Sequence, residues 1–113
     1  MTGIEIIAAE RQRQQDREGW TPAHDDAHVD GELGCAAACY ALPDPLRHRR
    51  AETFQGIGSI LDSIWPWSRS WWKPGAVGGT QAEYTDSRIR ELAKAGALAA
   101  AEIDRLVRTQ HGD

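Results

Sequence analysis

Two stretches of very small side chains constrain this chain more than anything else in it. They are Gly34-Cys35-Ala36-Ala37-Ala38-Cys39 and the run from Ala95 to Ala101, in which only Leu98 is large. Alanine is the best helix former, so both stretches read as helices. A helix this slim has little apolar bulk of its own. Its natural use is close approach to another slim helix, with axes near the short end of the usual 8–10 Å separation. Asp30 and Pro43 bracket the first stretch, predicting a helix over 31–42. Asp86 is placed to cap the second, predicting a helix over 87–108. Ile89, Leu92, Ala93, Gly96, Ala99 or Ala100, Ile103, Leu106 and Val107 recur there at helical spacing as the expected core stripe. Arg105 and Arg108 in its last turn complement the helix dipole.

The remaining segments are shorter. Thr2 and Glu5 have capping-box spacing and open a helix over 3–18 that Gly19 stops. Its apolar face, with Ile4, Ile7 and Ala8, lasts two turns; from Arg11 to Glu18 it is polar and must meet solvent or a polar surface. Thr21 before Pro22 predicts a short helical turn over 22–28. Ile57, Ile60, Leu61 and Ile64 predict a helix over 51–64, interrupted by Gly56 and Gly58. Arg47-His48-Arg49-Arg50 reads as a solvated basic loop. Pro66, Pro74 and Gly75 forbid a long helix in the Trp-rich loop over 65–80, with a flexible connector from Gly75 to Thr80. The expected fold is all-α: one small compact helical domain over 1–113, with three main helices and a Trp-rich loop.

Composition excludes several function classes. The chain has 113 residues with 13 basic and 17 acidic side chains, a net charge of −4. An acidic chain lacks the basic face that general nucleic-acid binding requires. Two cysteines cannot staple a secreted mini-protein. No apolar run approaches the roughly 20 residues that span a bilayer. The N-terminus has the wrong charges for a signal peptide, so the expectation is a cytoplasmic protein with no membrane association. At this size a single core gives only modest stability, and a homodimer formed through the slim last helix would supplement it.

Four of the five tryptophans lie within residues 65–72, interleaved with Arg69 and followed by Lys73. They read either as core filling in a chain short of leucine and phenylalanine, or as a recognition surface. Strand-like alternation would bury Trp65, Trp67 and Trp71 and leave Trp72 with Lys73 partly exposed. Upstream, Trp20 precedes His24-Asp25-Asp26-Ala27-His28. The expected binding residues are therefore Trp20, His24, Asp25, Asp26, His28, Arg69, Trp72 and Lys73.

Three chemistries are compatible with that set. Acidic loops beside an aromatic anchor suit capture of a basic protein surface. Trp72, Lys73, Arg69 and the His/Asp group could instead line a small-nucleotide pocket, for binding or hydrolysis. Pyrophosphohydrolases of the MazG type hold magnesium on paired acids at i, i+3. The acids available in the two long helices here, Glu32, Glu91, Glu102 and Asp104, do not pair that way. Finally, His24, His28, Cys35 and Cys39 form two i, i+4 pairs that could staple a structural zinc ion. No catalytic residue is nominated, no cofactor is expected, and the favoured reading is non-enzymatic.

The strings Ala8-Ala9-Glu10-Arg11-Gln12-Arg13-Gln14, Gly19-Trp20-Thr21-Pro22, His24-Asp25-Asp26, Gly31-Glu32-Leu33 and Ala36-Ala37-Ala38-Cys39-Tyr40-Ala41 carry a resemblance. So do Trp65-Pro66-Trp67, Trp71-Trp72-Lys73-Pro74, Lys94-Ala95-Gly96-Ala97-Leu98 and Ala101-Glu102-Ile103-Asp104-Arg105-Leu106. Together they resemble a family of small uncharacterised proteins encoded by bacteriophages and prophages. Residues Pro43 to Ile64 depart from it. The resemblance implies a phage accessory protein that binds and inhibits or modulates a host bacterial protein, including components of defence systems. Arg17-Glu18-Gly19-Trp20 with Tyr40 is also similar to ryanodine-receptor-type repeat domains, some of which recognise phosphorylated small molecules.

Overall fold

The computed structural model describes residues 1–75 and 78–111. Residues 76 and 77 of the expected flexible connector lie outside the described residues. The chain is mainly helical with one small hairpin, so it is not purely all-α. In order it forms α1 (Gly3–Arg17), α2 (Pro22–Asp26), α3 (Glu32–Ala41), α4 (Asp44–Arg47), β1 (Arg50–Thr53), β2 (Gly56–Ser59), α5 (Ile60–Ile64), a 3₁₀ turn (Arg69–Trp71) and α6 (Gln81–His111).

The two slim helices pack on each other and form the centre of the core. Leu33, Ala36, Cys39 and Tyr40 of α3 meet Ala95, Leu98 and Ala101 of α6, and Leu61 and Trp65 close one end. Trp20, Trp67 and Trp72 pack around this cluster. Small side chains let the helices approach, and indole rings supply the apolar volume that the helices lack. Helix α1 approaches α6 at Gly96, where an added Cβ would lie 2.5 Å from Ile7 Cδ1. A larger residue there would push α1 away.

Several expectations are corrected. The helix over 51–64 is replaced by an antiparallel hairpin, with Thr53 paired to Gly56, followed by the short α5. Gly56, at φ +112, allows the tight turn, and Thr53 Oγ1 donates to its carbonyl at 2.9 Å. Only from Ile60 does helical spacing hold, where a Ser59–Asp62 capping box starts α5. Second, α6 starts at Gln81 rather than Ser87: Thr80 Oγ1 accepts from the Glu83 amide at 3.1 Å, so Thr80, not Asp86, is the cap. Likewise the cap of α3 is Gly31, at φ +84, rather than Asp30.

Third, α6 is rotated relative to the expected stripe. Ile89, Leu92, Ile103, Leu106 and Val107 are exposed, whereas Ser87, Glu91, Leu98, Ala101 and Arg105 are buried. The stripe of larger apolar residues loses the core to the alanine face because only that face lets α3 come close. The same packing encloses polar groups at both ends of the face.

One of these is a hub around Arg47, which is buried rather than part of a solvated loop. Its side chain is 2 % exposed. The guanidinium donates to the Cys39 and Tyr40 carbonyls at 2.8 and 3.0 Å and to Glu91 Oε2 at 3.0 Å. Arg88 donates to the Tyr40 carbonyl at 2.9 Å and also reaches the Ala41 carbonyl. Two arginines thus satisfy carbonyls that the C-terminus of α3 leaves without helical partners. Burial alone would raise the Glu91 pKa, but hydrogen bonds from Arg47 and the Gly75 amide outweigh it and hold the carboxyl below its ordinary value.

The rotation of α6 has a direct consequence for stability. Leu98→Ala should lower unfolding free energy by about 2–5 kcal/mol, as for a fully buried leucine, whereas Ile103→Ala should change it by less than about 0.5 kcal/mol. Urea unfolding of the two variants measures both; the reverse ranking would mean that the stripe faces the core.

Candidate functional site: an aromatic cleft and the groove beside it

The tight turn after α1 aims Trp20. The Trp20 amide donates back to the Gln14 carbonyl at 3.1 Å across Gly19, whose φ of +70 suits glycine. Thr21 then caps α2, with Pro22 at its first position. This places His24 under Trp20, with ring centroids 5.7 Å apart and planes within 2° of parallel. His24 meets His28 edge-on at 5.1 Å, and His28 meets Trp67 at 5.3 Å. Trp67 then meets Trp65, which contacts Tyr40 and Trp72. The result is a continuous wall of rings.

The wall bounds a cleft of about 340 Å³ formed by Trp20, His24, His28, Tyr40, Trp65, Trp67 and Trp71, with Ser68 and Leu98. That volume lies at the small end of the range for ligand sites. Trp71 is 60 % exposed, while Trp72 is half-buried against the core. The strand-like alternation had these two reversed. Ser68 caps the 3₁₀ turn by accepting from the Ser70 amide, and that turn shifts the phase of the side chains after Trp67.

Both imidazoles are held in one orientation. His24 Nδ1 lies 3.1 Å from Asp25 Oδ1, and His28 Nδ1 lies 3.2 Å from Glu32 Oε2. An ionised carboxylate only accepts, so Nδ1 is the donor in each pair. On Glu32, partial burial is outweighed by its own and the Asp30 amides and by His28, and its carboxyl stays below the usual value.

The expected binding residues separate. Trp20, His24 and His28 line the cleft. Asp25 is fully buried beneath it, where Arg11 Nη2 donates to Oδ2 at 2.7 Å. It is a supporting group, and Arg11 explains how the polar half of α1 is used. Asp26 faces solvent and binds Arg108 at 2.8 Å, tying α2 to the end of α6. Arg69 pairs with Asp62 and borders a different, shallow depression beside the hairpin. Trp72 lies under the Arg47 guanidinium, 5.0 Å from its ring centroid. Lys73 borders a second groove, between α1 and α6. Expected together as a nucleotide pocket, Trp72, Lys73, Arg69 and the His/Asp group do not line one common cavity: Arg69 borders the depression beside the hairpin and Lys73 the groove, and each of these shares lining residues with the cleft.

Nor do the zinc candidates converge. Among the described residues, no three His, Cys, Asp or Glu side chains are grouped to hold a metal ion. Cys39 is buried in the core and Cys35 is exposed. Burial, then the neighbouring Cys35, push the Cys39 thiol up to about 11, which keeps it protonated.

The second groove, about 750 Å³, shares Trp20, Tyr40, Trp71 and Leu98 with the cleft and so adjoins it. It carries Lys73, Arg90 and Lys94, together with Arg13, which pairs with Glu10 and Glu18. Arg90 and Lys94 were not among the expected site residues: Lys94 entered only as part of the Lys94-Ala95-Gly96-Ala97-Leu98 string, and nothing local to the helix ties either side chain to the tryptophans.

The different roles of the adjacent aspartates are testable. Asp25→Asn leaves the Arg11 charge buried without its partner and should cost about 3–5 kcal/mol. Asp26→Asn should cost less than about 1 kcal/mol, as for an exposed pair. Thermal melting compares them directly. No protein-family model, no curated protein and no solved structure matches this chain.

Proposed function

We propose that this chain is a non-catalytic binding protein that acts by capturing a host bacterial protein through the aromatic cleft. The observation that carries this reading is the ring wall itself. Seven aromatic or imidazole side chains are gathered around one opening, with Trp71 left 60 % exposed at its edge. Large rings that are only partly covered are the usual anchors of protein recognition, because they lose much water-exposed area at little entropic cost.

The second support is what surrounds the cleft. Among the described residues the lining contains no carboxylate and no thiol, and its one hydroxyl outside Tyr40 is Ser68. His24 and His28 are oriented by carboxylates, yet among the described residues no serine or cysteine is hydrogen-bonded to either. Such a lining suits recognition better than bond cleavage. The phage setting implied by the resemblance supplies the partner class, a host factor whose activity is inhibited or modulated. The slim face of α6, through which a homodimer was expected, is buried against α3, so self-association would use the exposed Leu92, Ile103, Leu106 and Val107 instead.

Trp71→Ala should reduce capture of the host partner by about tenfold or more, in line with loss of a hot-spot tryptophan. It should leave the melting temperature nearly unchanged, since the ring is exposed. The comparison is quantitative affinity capture with wild type, Trp71→Ala and the outward-facing Ile103→Ala. Equal capture by all three variants would refute the cleft as the interface.

A further inference from the structure

We propose that the cleft and the adjoining groove form one bipartite site for a nucleoside phosphate, with the base in the cleft and the phosphate in the groove. This goes beyond protein capture, although the two readings share the cleft. Of the residues that carry it, Trp20, His24, His28 and Lys73 were expected from the sequence, and Trp67, Trp71, Arg90 and Lys94 join them.

The cleft suits a flat heterocycle. Trp20 and His24 stack on each other and leave their outer faces for a ligand, and Trp71, 60 % exposed, stands at the edge of the cleft. Base–aromatic stacking tolerates any base, because every base has a π-face. The imidazoles add polar edges: their Nδ1 atoms are engaged by Asp25 and Glu32, and neither ring makes another hydrogen bond among the described residues.

The groove suits the phosphate. Lys73 and Arg90 are exposed and form no ion pair among the described residues. Lys94 is half-buried; its Nζ lies 5.3 Å from the Tyr40 ring centroid and donates to the Lys73 carbonyl at 3.0 Å. An ammonium has three donors, so that contact fixes Lys94 without exhausting it. Arg13 pairs with Glu10 and Glu18, which also line the groove. In a chain of net charge −4, four cationic side chains against two carboxylates leave a local excess of positive charge bordering the aromatic cleft. The shared residues Trp20, Tyr40, Trp71 and Leu98 make the two cavities neighbours, so one ligand can occupy both.

The test uses the purified full chain without any protein partner. Tryptophan fluorescence and melting temperature are followed with AMP, GMP and UMP, and with adenosine, inorganic phosphate and a short single-stranded RNA. A mononucleotide should quench fluorescence and raise the melting temperature. Adenosine should need about tenfold more ligand for the same effect, the worth of one or two charge-assisted hydrogen bonds. Lys73→Ala combined with Arg90→Ala should weaken nucleotide binding about tenfold while leaving adenosine unaffected. Trp71→Ala should weaken both; circular dichroism confirms that each variant is folded. The inference is overturned if no mononucleotide acts, if nucleotide and nucleoside act equally, or if only the RNA binds. Loss of host-protein capture in Trp71→Ala with no nucleotide effect would refute this inference and leave the protein-binding reading standing.

Discussion

The buried Arg47 guanidinium is the interaction on which the rest of the structure depends. It holds the C-terminal carbonyls of α3, the Glu91 carboxylate of α6 and the face of Trp72 at once. Glu91 in turn accepts from the Gly75 amide at 2.9 Å and from Arg88. Four segments distant in sequence are thereby fixed to each other: α3, α4, the chain after Trp72, and α6. A charge so thoroughly removed from water is tolerable only when it is paired and its donors are used, and here both conditions are met. The slim α3–α6 contact supplies little dispersion energy of its own, so polar fixation at its end has unusual weight.

The hub also explains why an aromatic wall can exist in so small a protein. Trp72 and Tyr40 are anchored from behind: the indole by Arg47 and the Tyr40 hydroxyl by the Lys73 amide at 3.1 Å. Trp65 is fixed by its own Nε1–H to the Ser68 carbonyl at 3.1 Å. On the opposite side, the Arg11–Asp25 pair holds α2, and through it His24, in place. Between these two polar anchors the rings facing the cleft need no neighbours in front. An opening lined by large apolar groups is stable because the groups are secured from the rear, a requirement shared by protein capture and by base stacking.

How much of this was legible in the sequence follows from the range of the interactions. The pairing of α3 with α6 could be read, since alanine and glycine content reports both helix propensity and slimness. The cap of α2 was local and readable at Thr21-Pro22. The hairpin at Arg50–Ser59 was not: Ile57 and Ile60 happen to fit helical spacing, and the decisive signals were Gly56 and Gly58. The outward face of α6 was misread because periodicity identifies an apolar stripe without saying whether a slimmer face will outcompete it for the core. Arg47 and Arg11 looked like surface charges because their partners, Glu91 and Asp25, lie far along the chain. For the site, the tryptophan cluster and the His24–His28 segment were visible, whereas Arg90 and Lys94 join it only through the crossing of α1 over α6.

The most direct measurement of the central claim is a double-mutant cycle on Arg47 and Glu91, using Arg47→Met, Glu91→Gln and the double variant in urea unfolding. If the pair is the hub, Glu91→Gln removes the buried Arg47 charge's closest carboxylate, Arg47→Met leaves Glu91 only Arg88 and the Gly75 amide, and each costs about 3–5 kcal/mol. The double variant then costs well below the sum of the two, because no buried charge remains alone. Additive losses, or single variants as stable as the wild type, would contradict the hub and with it the rear anchoring of the cleft.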